Sequence, residues 1–155
     1  VNNYQHVIPV KKAVSNQVGK AKFFLSPENK GDHRIYNSQD NRPTIEIELI
    51  TLDEFFKNKE HPIDLIKMDI QGAEMAALLG MNKIFEKNPN LKIIIEFWPF
   101  GLKKFGYSAA EFLNYIQQLG FRFQLIKEEG LEAIEKDALL KLCEKQEFVN
   151  LFLEK

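Results

Sequence analysis

Apolar and polar residues alternate with a period of two in the first third of the chain. Residues 44–50 read TIEIELI, which places the aliphatic side chains on one face and the glutamates on the other. This alternation is typical of a half-exposed strand. Apolar runs at 6–14 and 20–26 predict two further strands, and the polar, turn-rich residues 27–43 predict a loop. The sequence therefore predicts an antiparallel β excursion over about residues 20–50.

From residue 63 onward, strand-like and helix-like patterns alternate along the chain. Short apolar runs predict strands at 64–70, 91–98, 121–126 and 147–155. Longer amphipathic stretches predict helices at 73–88 (with a break near Gly80), 108–119 and 131–145. Strands that alternate with helices form a parallel or mostly parallel sheet with helices against its faces, so the predicted fold class is α/β. The strand at 64–70 is expected to be buried on both faces, as parallel strands are.

Helix starts and chain breaks are marked by specific residues. TLDE at 51–54 and SAAE at 108–111 match the capping box, in which a hydroxyl and a carboxylate satisfy the first backbone N–H groups of a helix. Pro99 and Gly101 directly follow the strand at 91–98 and predict a loop there.

Length, charge and cysteine content narrow the class of protein. The chain has 155 residues, enough for a single domain over 1–155 with a real core. Its net charge of -1, with basic residues dispersed among acids, argues against a nucleic-acid binder. Cys143 is the single cysteine and cannot form an internal disulfide. These residues contain neither an apolar run long enough to span a membrane nor a signal-peptide pattern, so we predict a cytoplasmic protein.

The most informative stretch is IDLIKMDIQGAEMAALLG, residues 63–80. Lys67 and Asp69 are two residues apart on a predicted strand, so they share a face and can pair. Ligands of open α/β sheets bind beyond the carboxyl ends of strands, where Asp69 lies. Gly72 permits a tight turn, and Glu74 falls in the first turn of a helix, where the dipole favours a negative charge. The alternatives are structural: Asp69 as a helix cap, Lys67 as its counter-ion, and Glu74 as a dipole and packing residue.

A second carboxylate is expected beside the first. Glu96 lies late in the next predicted strand, which is expected to neighbour the strand that carries Asp69. Trp98 and Phe100 follow it and can wall an apolar substrate pocket, or belong to core and loop packing. Glu96 can equally serve only to accept hydrogen bonds from the backbone at the strand end.

These motifs, taken together and in order, resemble the FkbM-type methyltransferases, which use S-adenosylmethionine. The resemblance covers roughly residues 1–100. It rests on AVS followed by a glycine turn at 13–19, and on Leu52, Asp53, Lys67, Asp69, Gln71, Gly72, Glu74 and Glu96. It implies a Rossmann-like sheet, mostly parallel with an antiparallel last strand. It also implies O-methylation of a hydroxyl group on a sugar or polyketide-type small molecule.

The resemblance also assigns roles to residues. It implies that Asp69 is the first choice to orient or deprotonate the acceptor hydroxyl, with Glu96 second and Lys67 as their partner. Glu74, Trp98 and Phe100 are expected in the substrate pocket. The expected cofactor contacts are Lys12, Ala13, Val14, Asp69, Ile70 and Gly72. No metal ion is required by the spacing of the carboxylates.

One family motif does not occur in these residues. The glycine-rich turn that grips the cofactor has no counterpart, because every glycine of the chain is isolated from the others. We therefore expect the chain to be the carboxyl-terminal part of a methyltransferase and to be inactive by itself. The alternative is a non-catalytic binding or regulatory module that keeps this fold; oligomeric state stays open. The strand at 64–70 is expected to have an edge that an amino-terminal strand or a second chain covers, or that stays bare.

Overall fold

A small sheet is formed by the first three strands of the computed structural model, which describes residues 4–37, 39 and 41–155. The predicted loop over 27–43 and the predicted domain over 1–155 each include positions outside this part. Strands β1 (Ala13–Val14), β2 (Gly19–Phe24) and β3 (Thr44–Ile50) lie in the order β1-β3-β2. The β2–β3 pair is antiparallel, which confirms the predicted excursion. β1 is much shorter than the run at 6–14 and pairs with β3 in parallel.

A five-stranded sheet and six helices follow. The strands are β4 (Leu65–Met68), β5 (Lys92–Phe97), β6 (Arg122–Lys127), β7 (Gly130–Ala133) and β8 (Val149–Glu154). The helices are α1 (Leu52–Phe55), α2 (Glu74–Leu79), α3 (Asn82–Lys87), α4 (Pro99–Phe105), α5 (Ala109–Gln118) and α6 (Lys136–Leu142). The α/β class is therefore confirmed, and the helix at 73–88 is broken at Gly80 as predicted. None of the described helices is long and apolar enough to cross a membrane.

The sequence predicts a mostly parallel sheet, but the larger sheet is mostly antiparallel. Its order is β4-β5-β8-β6-β7, and only the β4–β5 pair is parallel. The last strand, β8, is antiparallel to both β5 and β6, between which it lies, and β7 adds an antiparallel hairpin. Because β8 is antiparallel to both neighbours, β4, β5 and β6 still run in one direction. Their carboxyl ends therefore meet at one edge of the sheet.

Two predicted segments have a different structure. The residues 131–145, predicted as one helix, form β7 and then α6, because Gly130, with φ of 134°, turns the chain back along β6. The predicted loop after β5 is instead α4, with Pro99 in its first turn, where a missing N–H leaves no hydrogen bond unmade. It ends at Gly106, whose left-handed φ is 106°.

One face of the larger sheet is packed and the other is open. Ile93, Ile95 and Phe97 of β5 are buried, and Phe97 stacks on Phe112 of α5 with ring centroids 5.7 Å apart. On the opposite face of β4, Leu65 is 53% exposed. The prediction that this strand is buried on both faces is therefore wrong. Within the described residues β4 pairs only with β5, so its other edge is bare.

The capping box at the start of α5 yields the first testable prediction. The Ser108 hydroxyl accepts a hydrogen bond from the Glu111 N–H (3.1 Å), and the Glu111 carboxylate accepts one from the Ser108 N–H (2.8 Å). Replacing Ser108 by alanine is expected to lower the free energy of unfolding by about 1 kcal/mol. Urea unfolding followed by circular dichroism measures this change. Gln118→Ala, at an exposed position of the same helix, is the control, and equal effects of the two changes would contradict the prediction.

At α1, by contrast, only the Thr51 half of the predicted box forms, because the Glu54 side chain pairs with Lys57.

Candidate functional site

The carboxyl ends of β4 and β5 bring the predicted acidic residues to one edge of the sheet. Asp69 directly follows β4, and Glu96 is the penultimate residue of β5. The Lys67 ammonium lies 3.3 Å from the Asp69 Oδ2, so the predicted pair forms. The other oxygen of Asp69 accepts a hydrogen bond from the Gln71 amide at 3.0 Å. Both oxygens of Asp69 are thus held by neighbours, which fixes the orientation of this carboxylate.

The turn after β4 is unusually tight. Gly72 has a φ of 97°, a conformation that favours glycine, and a Cβ there would lie 2.5 Å from the backbone carbonyl of Gly101. Gln71 also has a positive φ, of 57°. Backbone strain of this kind at a non-glycine residue is concentrated at functional sites. Gly72 therefore allows the turn to pack directly on α4, and its role in the structure is steric.

Glu74 stabilises this turn by a hydrogen bond to its backbone. Only 1% of its surface is exposed, and its Oε1 accepts a hydrogen bond from the Ile70 N–H at 3.0 Å. Burial raises the pKa of Glu74 above its usual value, against the opposing effect of backbone hydrogen bonds. Its Oε2 is buried and has no hydrogen-bond partner among the residues that the structure describes. The structure thus gives Glu74 a structural role in the turn, and its place in a substrate pocket stays a prediction.

Glu96 has the most perturbed acidity at this edge. Burial, followed by the negative charges of Asp69 and Glu74, raises the pKa of Glu96 from 4.5 to about 7. The positive charge of Lys67 acts in the opposite direction. A carboxyl group with a pKa near neutrality can gain and lose a proton under physiological conditions, as a general base must.

A cavity of about 300 Å³ opens beside Asp69 and lies between the small sheet and the turn after β4. Five of the six predicted cofactor-binding residues line it: Lys12, Ala13, Val14, Asp69 and Ile70. The sixth, Gly72, packs against α4. Residues that are more than 50 positions apart in the sequence thus line one cavity, and their role in binding a cofactor stays a prediction. Lys12 is held in place by an ion pair with Glu48 of β3 at 2.5 Å.

Several residues that were not predicted from the sequence also line this cavity. They include Phe23, Lys30, His33, Ile35, Ile47 and Gln71. His33 is half-buried: its Nδ1 accepts the Ser26 N–H at 2.9 Å, and its ring meets Phe23 edge-on. A neutral imidazole bound in this way carries its proton on Nε2. The polar composition of 27–43 predicts a plain loop, and the order of residues within it gives no signal that His33 faces a cavity.

The two aromatic residues predicted to line a substrate pocket have different environments. Trp98 is buried, and the Arg34 guanidinium lies over its ring at 5.1 Å. Phe100 is 53% exposed, with its ring centroid 5.6 Å from that of Trp98. Arg34 lies over Trp98, and the Tyr36 ring contacts Phe105 of α4. The alternate residues of the segment, His33 and Ile35, face the cavity. The segment 33–36 therefore separates the cavity from Trp98.

These features together define a candidate ligand-binding edge with two acidic side chains, one lysine and an adjoining cavity. Within the part of the chain that the structure describes, no group of three or more His, Cys, Asp or Glu side chains is arranged to hold a metal ion. The chemistry that the edge offers is proton transfer and orientation of a polar group.

Comparison with protein families gives the class of this mixed α/β chain. It is a methyltransferase by family. Residues 1–123 match the family model described as "Methyltransferase FkbM domain", and the chain is therefore a member of the FkbM methyltransferase family. Comparisons with curated proteins and with solved structures returned no match.

Proposed function

We propose that this chain is part of an S-adenosylmethionine-dependent O-methyltransferase that acts on a hydroxyl group of a sugar or polyketide-type small molecule. The observation that carries the proposal is the cavity beside Asp69. Five residues from two distant segments line this cavity. One segment is β1 with the residue before it (Lys12, Ala13 and Val14), and the other directly follows β4 (Asp69 and Ile70). Family membership alone would not require these distant segments to share one recess.

The residues of the cavity fit the adenosine part of the cofactor. Val14, Ile47 and Ile70 offer apolar surface to a flat ring, and Lys12 and Asp69 offer polar groups at its margin. A volume of about 300 Å³ lies at the small end of ligand pockets, which suits a nucleoside better than a complete cofactor. We propose that a glycine-rich segment of a longer parent protein binds the methionine end, since these 155 residues contain no such motif.

The cofactor supplies a methyl group activated by a sulfonium ion, and the chain supplies the proton acceptor and the orientation. We propose Glu96 as the general base, because its pKa of about 7 lets it take a proton from a hydroxyl group near neutral pH. Asp69, held by Lys67 and Gln71, is positioned to orient that hydroxyl group. This order reverses the one expected from the sequence, where Asp69 stood first.

The proposal predicts a specific loss of affinity in one variant. Asp69→Asn keeps the size of the side chain and removes its charge, and it is expected to weaken binding of S-adenosylhomocysteine about tenfold. Isothermal titration calorimetry on a longer form that includes the preceding residues measures this directly. Asp64→Asn is the matched control, because Asp64 lies at the other end of the same strand and outside the cavity lining.

The same measurement separates the enzyme from its alternative, a binding or regulatory module without catalysis. If the longer form binds S-adenosylhomocysteine and transfers a methyl group, while the 155-residue chain does neither or binds only weakly, the enzyme proposal is supported. A longer form that ignores both S-adenosylmethionine and S-adenosylhomocysteine would leave the regulatory module as the better explanation.

A further inference from the structure

A second recess, rich in lysine, lies at the opposite edge of the larger sheet. It has a volume of about 770 Å³ and is formed by α1, the residues 56–63 that follow it, and one side of α3. We call it the basic recess. It is lined by Lys57, Lys59, Lys83, Lys87, His61 and Asn58, among others. Ile63 precedes β4 and Asp69 follows it, so about 20 Å of extended chain separates the recess from the proposed methyl-transfer site.

Hydrogen bonds fix the walls of the basic recess. The Asp53 carboxylate of α1 accepts the N–H groups of Lys83 (3.1 Å) and Ile84 (3.0 Å) of α3. The Asn88 Oδ1 accepts the Ile63 N–H at 2.8 Å, and its Nδ2 donates to the Ile84 carbonyl at 2.8 Å. Both ends of α3 are therefore tied to the opposite wall. The recess is a stable feature of the fold and needs no rearrangement to admit a ligand.

The charge of the basic recess is unbalanced. Four lysines and two carboxylates, those of Asp53 and Glu60, line it, and with the Glu54 partner of Lys57 included the net charge is +1 with His61 neutral, whereas the whole chain carries -1. Asp53 is occupied by backbone N–H groups, and Lys57 is paired with Glu54 outside the recess. The Lys59 ammonium lies over the Phe55 ring, 3.9 Å from its centroid.

Lys83 and Lys87 are the uncompensated pair. They are four residues apart on α3, so they project from the same side of the helix. Neither takes part in any ion pair within the described residues. Like charges at this spacing destabilise a helix, and an anion bound between them would remove the repulsion.

We infer that the basic recess binds a soluble phosphate monoester between Lys83 and Lys87. A phosphate monoester carries close to two negative charges at neutral pH, which matches the two positive charges of Lys83 and Lys87. Lysine ammonium groups bind phosphate as point charges. Phe56, Ile63 and Ile84 offer apolar contact to the organic part of such a ligand. No large apolar side chain of the lining is exposed for insertion into a lipid surface, which favours a soluble ligand.

The test is a titration of the chain with glycerol 3-phosphate at constant ionic strength, followed by the backbone amide resonances in two-dimensional NMR. Saturable shifts are expected in residues 56–63 and 83–88. Lys83→Gln with Lys87→Gln is expected to weaken the binding about tenfold. Lys141→Gln with Lys145→Gln is the matched control, because these lysines are also four residues apart, also line a cavity, and give the same change in net charge.

Each outcome decides the question. Shifts confined to the basic recess, together with loss of affinity only in the Lys83 and Lys87 variant, support the inference. Equal weakening in both double variants, or shifts scattered over every lysine-rich surface, would show diffuse charge attraction and overturn it, as would the absence of saturable binding. If the Lys83 and Lys87 variant fails to fold, the position of the shifts in the unaltered chain still gives the answer.

Discussion

Replacing Gly72 by alanine is expected to lower the free energy of unfolding by about 3 kcal/mol or more. Two penalties combine in this variant. The positive φ of 97° is unfavourable for any residue with a Cβ, at a cost of about 1–3 kcal/mol. The new methyl group would lie 2.5 Å from the Gly101 carbonyl, and overpacking of this kind costs about 1–3 kcal/mol. The Gly101 atoms in the clash are backbone, and the position of the new Cβ is fixed by the backbone of residue 72, so neither can move away as the end of a flexible side chain would.

Two other glycines separate these penalties. Gly106 has a φ of 106° but open space around its Cβ position, so Gly106→Ala is expected to cost only about 1 kcal/mol. Gly19 has open space and no positive φ, so Gly19→Ala is expected to change stability by a few tenths of a kcal/mol. Urea unfolding of the three variants measures the order. A Gly72 variant no less stable than the Gly106 variant would show that the turn does not depend on its contact with α4.

The second large effect is expected in the pH dependence of Glu96→Gln. The pKa of Glu96 is raised from 4.5 to about 7, so the folded chain binds a proton in this range that the unfolded chain has lost. The protein therefore loses stability as the pH rises from about 4.5 to about 7. Glutamine stays neutral and removes this loss. Glu96→Gln is expected to be more stable than the parent chain at about pH 8 by about 1–2 kcal/mol, a value reduced for the partial exposure of the carboxyl group.

Thermal unfolding at about pH 4 and about pH 8 measures this difference. The advantage of Glu96→Gln is expected to disappear at the lower pH, where the folded and unfolded forms of the parent are both protonated. Glu128→Gln, in an exposed turn, controls for the loss of one carboxylate. In the longer form, methyl transfer is expected to rise with pH through about 7 and to fall about 100-fold or more in the Glu96 variant. A pH-independent advantage of Glu96→Gln would refute the assignment of a raised pKa to this residue.

The two predictions concern one local arrangement. Gly72 lets the turn after β4 pack against α4. Asp69 lies at the start of the same turn, and the next residue, Ile70, donates its N–H to the Glu74 carboxylate. Burial, followed by the charges of Asp69 and Glu74, raises the pKa of Glu96. A steric change at Gly72 is therefore expected to alter the acidity of Glu96 as well as the stability of the fold.

Much of the local structure could be predicted from the sequence, because it depends on neighbouring residues. The alternation at 44–50 gave β3 with its observed bounds, and the SAAE sequence gave the start of α5. The pairing of Lys67 with Asp69 followed from their spacing on one strand. The resemblance carried by the motif between Lys67 and Glu96 gave the family, which the match over residues 1–123 confirmed.

Only the tertiary structure decided the features that depend on segments far apart in the sequence. Whether a strand is parallel or antiparallel to its neighbour depends on its place in the sheet, and β8 lies between β5 and β6. His33 faces the cavity because Ser26 and Phe23 hold its ring, and Lys83 and Lys87 face a recess because Asp53 and Asn88 tie α3 to the opposite wall. Burial and the charges of distant residues set the pKa of Glu96. The sequence by itself therefore determined the family and the candidate residues at the strand ends, and long-range packing decided their surroundings, because desolvation and close approach arise only when separate segments meet.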